Sequence, residues 1–232
     1  MNTKYIMFPA LIALPWLLTA CSGSNNDSPV QKVMANYEIK ITNATHGQPL
    51  SPPAAILHDG QYMAWSIGSS ASAGLETLAE SGSPADLVAE AASTVAQTTG
   101  SGVVVPGAMM SLMLSGEWSS DLELTVATML VNTNDAFTGT TGWHVGDLAV
   151  GEHKQMLMPI YDAGTETNDE LAATIPGPAA GGEGYNPARE SHDQVRRHPG
   201  VVTQADGYAD SALTEAHRFD QGAMLVSVVR TQ

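Results

Sequence analysis

The stretch Asp121 to Asn132 (DLELTVATMLVN) constrains the fold of this chain more than any other segment, because it carries the strongest strand signal. Tyr37 to Thr42 (YEIKIT) alternates apolar and polar residues, the period of a half-buried strand. Ala223 to Thr231 (AMLVSVVRT) reads as a last strand, and Met63 to Ile67 as a short one near the start. Trp143 to Val150 and Lys154 to Ile160 read as a hairpin pair across Gly151. Helical periodicity is confined to Ala73 to Ser81 and Pro84 to Gln97. The second has Ser83 in capping position, Pro84 at its first position, and Asp86 and Glu90 early in it. Asn43 to Pro53, Gly100 to Pro106 and Ile175 to Gly207 are turn-rich or loop-like. Only 14% of residues are charged and 22 are glycine, which favours a loop-rich β structure over a helical bundle. The expectation is an all-β chain, an antiparallel β-sandwich with a short helical insertion near residues 74–98. No fixed-period repeat and no second-domain boundary is visible.

The N-terminus carries an address. Lys4 supplies a positive n-region, Ile6 to Leu18 is apolar, and Leu18-Thr19-Ala20-Cys21 ends it. The apolar run is roughly 13 residues, short of the about 20 a spanning helix needs, and Pro9 and Pro15 interrupt it. This is the layout of a secretory signal, and its ending resembles the bacterial lipobox. That resemblance implies a signal peptide over residues 1–20, cleavage before Cys21, and lipid on the Cys21 thiol and amine. Cys21 is the sole cysteine, so no intrachain disulfide forms, and a thioether-linked lipid removes a thiol that an oxidising compartment would attack. The polar run that follows makes residues 21–35 a flexible tether to a domain over 36–232. Ser22, not Asp, follows the cysteine, which resembles outer-membrane sorting in bacteria with two membranes. The expected place is therefore the cell envelope, membrane-anchored and facing the periplasm or the exterior.

Charge and motifs exclude several functions. Nine basic residues against 24 acidic ones give a net charge of −15, which argues against nucleic acid or an anionic membrane surface as partner and is compatible with cation binding. There is no GxSxG elbow, P-loop, dinucleotide fingerprint or HExxH, and no thiol nucleophile outside the lipobox. The seven histidines form no close HxH or HxxxH pair.

Two acidic turns stand out. One strand leads into Asn132-Thr133-Asn134-Asp135-Ala136, and a later one into Tyr161-Asp162-Ala163-Gly164-Thr165-Glu166. If both enter the same end of a sandwich, Asp135, Asp162 and Glu166 converge. Packed carboxylates repel unless a cation binds, and hard oxygen ligands on loops suit Ca²⁺. Gly164 permits the sharp turn that brings Asp162 and Glu166 to one ion.

These residues also carry a family resemblance. Gln48-Pro49-Leu50-Ser51-Pro52 with His58-Asp59-Gly60, Ala71 to Gly82 (ASAGLETLAESG), Asn134 to Gly139 (NDAFTG) and Tyr161 to Glu166 (YDAGTE) match, in order, segments of the spondin N-terminal domain of F-spondin and mindin. The chain resembles a bacterial member of that family across about residues 36–231. The resemblance implies a C2-like β-sandwich whose calcium aspartates fall on Asp135, Asp162 and Glu166. Glu166 departs from the usual Asp, with Asp169 and Glu170 as substitutes within reach, and Ala136 departs from a bulky aromatic.

The expected function is a lipid-anchored, calcium-binding, non-enzymatic module that recognises an extracellular or envelope ligand in the manner of an adhesion domain. The competing readings are a metal-dependent envelope hydrolase using His144 or His153 beside the same loops, and a structural envelope lipoprotein without metal.

Overall fold

Strand β1, Met34–Asn43, buries Ala35, Tyr37, Ile39 and Ile41 and turns the residues between them outward. It pairs antiparallel on one side with β4, Met109–Glu117, and on the other with β10, Met224–Arg230. β7, His153–Met158, closes this sheet in the order β4-β1-β10-β7. The computed structural model describes Met1, residues 32–189 and 191–232, so Cys21 and the expected signal peptide beyond Met1 lie outside the described residues. Lys32–Gln232 forms one compact unit. Among the described residues no helix is long and apolar enough to cross a membrane.

The second sheet has six strands in the order β3-β2-β5-β6-β8-β9, antiparallel throughout. These are β3 (Ala96–Thr99), β2 (Ala54–His58), β5 (Glu123–Met129), β6 (Ala136–His144), β8 (Ile160–Asp162) and β9 (Arg196–Arg197). The expected all-β sandwich is therefore the observed architecture. Side chains from both sheets, among them Tyr37, Ile39, Leu57, Leu114, Leu124 and Val226, fill the layer between them. A third layer covers the other face of the six-stranded sheet: Leu75, Leu78 and Ala79 of α1 (Ala73–Ser81) and Leu87 of α2 (Ala85–Glu90) pack on Ile56, Ala127 and Phe137.

Several expected elements differ. Met63 to Ile67 is loop, and the early strand lies instead at Ala54–His58. That strand is buried at every position because Ala55 and Leu57 face the sandwich while Ala54 and Ile56 face the helices, so no alternation marks it. The second helix stops at Glu90, and Ala96–Thr99 pairs with Ala54 to Leu57 as an edge strand, so tertiary pairing overrides the helical period. Its N-cap is Pro84, and no side chain caps it, so Ser83 does not serve. The hairpin across Gly151 does not form. β6 pairs with β5 and β8, β7 pairs with β10 in the other sheet, and residues 145–152 cross between the sheets.

Candidate metal centre

The register of β6 on β8 places Ala136 opposite Asp162, so Asp135 and Asp162 meet at one end of the six-stranded sheet. Each approach is fixed locally. Before β6, the Thr133 hydroxyl donates to the Leu130 carbonyl at 2.6 Å and accepts the Ala136 N–H at 3.1 Å, closing the turn that carries Asp135. After β8, Gly164 takes a left-handed conformation at φ +75, and a Cβ there would lie 2.4 Å from the Gln194 carbonyl oxygen. Only glycine satisfies both the dihedral and the close approach. The turn points two successive N–H groups, Thr165 and Glu166, at Asp135 Oδ2 over 2.8 and 3.1 Å. Such a pair of adjacent amides forms a small anion cradle.

Asp135 is fully buried, and its other oxygen, Oδ1, is buried with no hydrogen-bond partner. Burial first, and then the neighbouring Asp162 charge, push its carboxyl up to about 7, against the pull of the two amides. Asp162 is also fully buried but well partnered. Oδ1 accepts the Gly164 N–H at 2.7 Å; Oδ2 accepts Asn168 Nδ2 at 2.8 Å and Arg196 Nε and Nη2 at 3.2 and 3.1 Å. Glu166 is buried, and its backbone amide serves Asp135. Of the two substitutes, Asp169 Oδ1 is taken by Leu171 N at 3.0 Å and by the Thr174 hydroxyl at 2.5 Å. Glu170 Oε1 accepts the Val202 N–H at 3.1 Å.

Sequence reasoning missed four neighbours. Arg196 arrives on β9, opposite Asp162 in register, and is the resident cation of the site. Glu80, fully buried near the end of α1, accepts the Asn186 N–H on Oε2 at 2.9 Å. Burial pushes its carboxyl up while the Thr165 hydroxyl and the Asn186 amide hold it back. Asn168 presents its Nδ2 to Asp162. His198, whose N–H donates to the Ile160 carbonyl at 3.2 Å, feels both Asp162 and Arg196; burial drives its pKa down to about 4. Its Nδ1 accepts the Gly200 N–H, so the neutral ring carries its proton on Nε2. Glu80 lies within the ASAGLETLAESG match, which singled out a helix and not a ligand. Arg196 and His198 lie in a stretch whose composition reads as loop.

The aromatic side wall is Phe137 stacked on Tyr161 at 5.3 Å, with Trp65 edge-on to both and the Arg197 guanidinium 5.0 Å over Tyr161. His144 sits at the opposite end of β6, nine residues from Asp135, a span of roughly 30 Å at about 3.3 Å per residue. His153 begins β7 at that far end, where Lys154 Nζ reaches the His144 carbonyl at 3.0 Å. Neither histidine is brought to the acidic turns.

The donor set fits a hard cation. It consists of oxygens, one of them a buried carboxylate oxygen without a partner, at a place where two carboxylates face each other. Among the described residues no three Asp, Glu, His or Cys side chains are grouped so that they could hold a metal ion as placed, and Asp162 is engaged by Arg196. A cation would thus be held by Asp135 with Asp162 and Glu166 and by neutral oxygens, in competition with the guanidinium. No protein-family model and no curated protein matches the chain.

Proposed function

We propose that this chain is a lipid-anchored, calcium-binding β-sandwich of the spondin N-terminal kind, acting as a non-enzymatic binding module at the cell envelope and anchored in the bacterial outer membrane. The observation that carries the cation reading is Asp135: a carboxylate with no exposure, one oxygen unpartnered, beside a second buried carboxylate. A buried carboxylate whose charge only two amides offset still costs free energy, and a divalent ion at Asp135 removes that cost. Asp135, Asp162 and Glu166 would hold the ion. It would supply charge screening that fixes the two turns, leaving them rigid enough to recognise an extracellular or envelope ligand. The hydrolase alternative loses its named bases, since His144 and His153 lie at the other end of the sheet. The structural alternative draws on Arg196, whose guanidinium already neutralises Asp162.

Calcium separates these readings. At about a hundred times Kd, bound ion adds roughly 2.7 kcal/mol of stability. In a domain of this size that raises Tm by roughly 5–10 °C over the chelated protein. An unchanged Tm, or a shift that persists in an Asp135→Asn/Asp162→Asn variant, contradicts the cation reading and leaves the Arg196-neutralised structural one.

A further inference from the structure

Four buried side-chain oxygens in the described residues have no hydrogen-bond partner, and three of them, Asp135 Oδ1, Glu80 Oε1 and Asn168 Oδ1, sit on Asp135 and on residues that act on it directly or contact its neighbour Asp162. The Thr165 hydroxyl lies 3.4 Å from Asp135 Oδ2 and also pulls down the Glu80 carboxyl against burial, so a single hydroxyl stands between two buried acids. It has one proton and can satisfy only one of them at a time. Glu80 also acts on Asp135 through its charge. On the other side, Asn168 donates to Asp162, which raises the charge burden on Asp135 in turn. Buried acceptors are ordinarily satisfied, and three orphans around two facing carboxylates share one remedy.

We infer that Glu80 Oε1 and Asn168 Oδ1 are ligands of the same cation as Asp135, so that the ion ties helix α1 to the turn after β8. This rests on the reading of the Asp135 turn as a cation site and extends it to residues that the acidic turns alone do not include. To the carboxylates of the two acidic turns the set adds a carboxylate from α1 and a neutral amide oxygen. It contains only oxygen, and it suits Ca²⁺, which accepts six to eight oxygens in irregular geometry, over Mg²⁺, which demands a near-ideal octahedron. Glu80 is already anchored for this role: its Oε2 is fixed by the Asn186 amide, which leaves Oε1 oriented by the same bond.

The test is calcium titration of the full chain by calorimetry, with Tm read in chelator and in calcium for each variant. Glu80→Gln keeps the shape and the Asn186 bond but removes the charge. It is expected to weaken Ca²⁺ binding tenfold or more, yet to melt at or above the wild-type temperature in chelator, because a buried charge has gone. A purely structural Glu80 would not give this crossing of the two Tm values. Asn168→Asp adds a charge beside Asp162; it is expected to lower Tm in chelator and to recover it in calcium. Wild-type affinity in Glu80→Gln overturns the inference while the cation site stands. Absence of calcium binding in the wild-type chain overturns both. If Glu80→Gln does not fold, Asn168→Asp decides: a chelator deficit that calcium leaves unchanged overturns the inference.

Discussion

Removing Arg196 should convert this site from one that tolerates chelation to one that requires calcium. Its Nε and Nη2 both donate to Asp162 Oδ2, and the carboxylate they neutralise is fully buried. Stripping one partner from a buried ion pair costs about 3–5 kcal/mol. Two features reduce that figure here: the guanidinium is 40% exposed, so water can follow it, and Asp162 keeps its bonds from Gly164 N and Asn168 Nδ2. Arg196→Gln is therefore expected to cost about 2–3 kcal/mol in chelator, a fall in Tm of roughly 4–12 °C for a domain of this size. In millimolar calcium most of this loss should return, since the ion takes over the neutralisation of Asp162 and no longer competes with a guanidinium. Thermal melts followed by circular dichroism, in chelator and in calcium, read both numbers. An equal loss under the two conditions refutes the reasoning, because it makes Arg196 a structural partner with no cation to replace it.

Three further outcomes are expected. Gly164→Ala forces a side chain into a left-handed residue packed against the Gln194 backbone; it should cost about 2–4 kcal/mol in urea unfolding and displace the Thr165 and Glu166 amides from Asp135, and an unchanged midpoint counts against the turn described here. His198, held neutral by burial with a pKa near 4, should make stability fall with acid: the unfolded chain binds its proton from pH about 6.5 downward while the folded chain resists. Between pH 7 and pH 5 the wild type should lose about 2 kcal/mol relative to His198→Gln, and a difference independent of pH contradicts the buried neutral ring. Cys21→Ala should abolish incorporation of labelled fatty acid and release the protein from the membrane fraction; retention of both shows that Cys21 is not the anchor.

The sandwich was legible where one face meets the core and the other meets water. β1 and β10 were found for that reason, β5 by its long run of apolar and β-branched residues although both its faces are buried, and α1 by its helical periodicity, which Ser72 caps and Gly82 ends in a left-handed turn. β2 escaped because both its faces are covered. β4 escaped because Met109 and Met113 are exposed, so apolar residues occupy both phases of the strand. Beyond the hairpin error, the crossing at residues 145–152 depends on Gly146, where a Cβ would lie 2.4 Å from the Ser120 carbonyl oxygen, a tertiary constraint with no local signature. At the acidic turns, Asp135 and Asp162 were identified as neighbours because each ends a strand-turn signal, and the antiparallel register brings them together. Arg196 was not, since it pairs with Asp162 from 34 residues away in a segment without periodicity. Glu80 looked like an ordinary helical acid; only the fold shows that its face of α1 is buried.

The most direct measurement of the central claim is calorimetric calcium binding to the chelator-stripped wild type beside Asp135→Asn. The account predicts one saturable site in the wild type, at the affinity of extracellular modules, about 10⁻⁴–10⁻³ M or tighter, and its loss in the variant. No saturable binding in the wild type, or equal binding in Asp135→Asn, would contradict it.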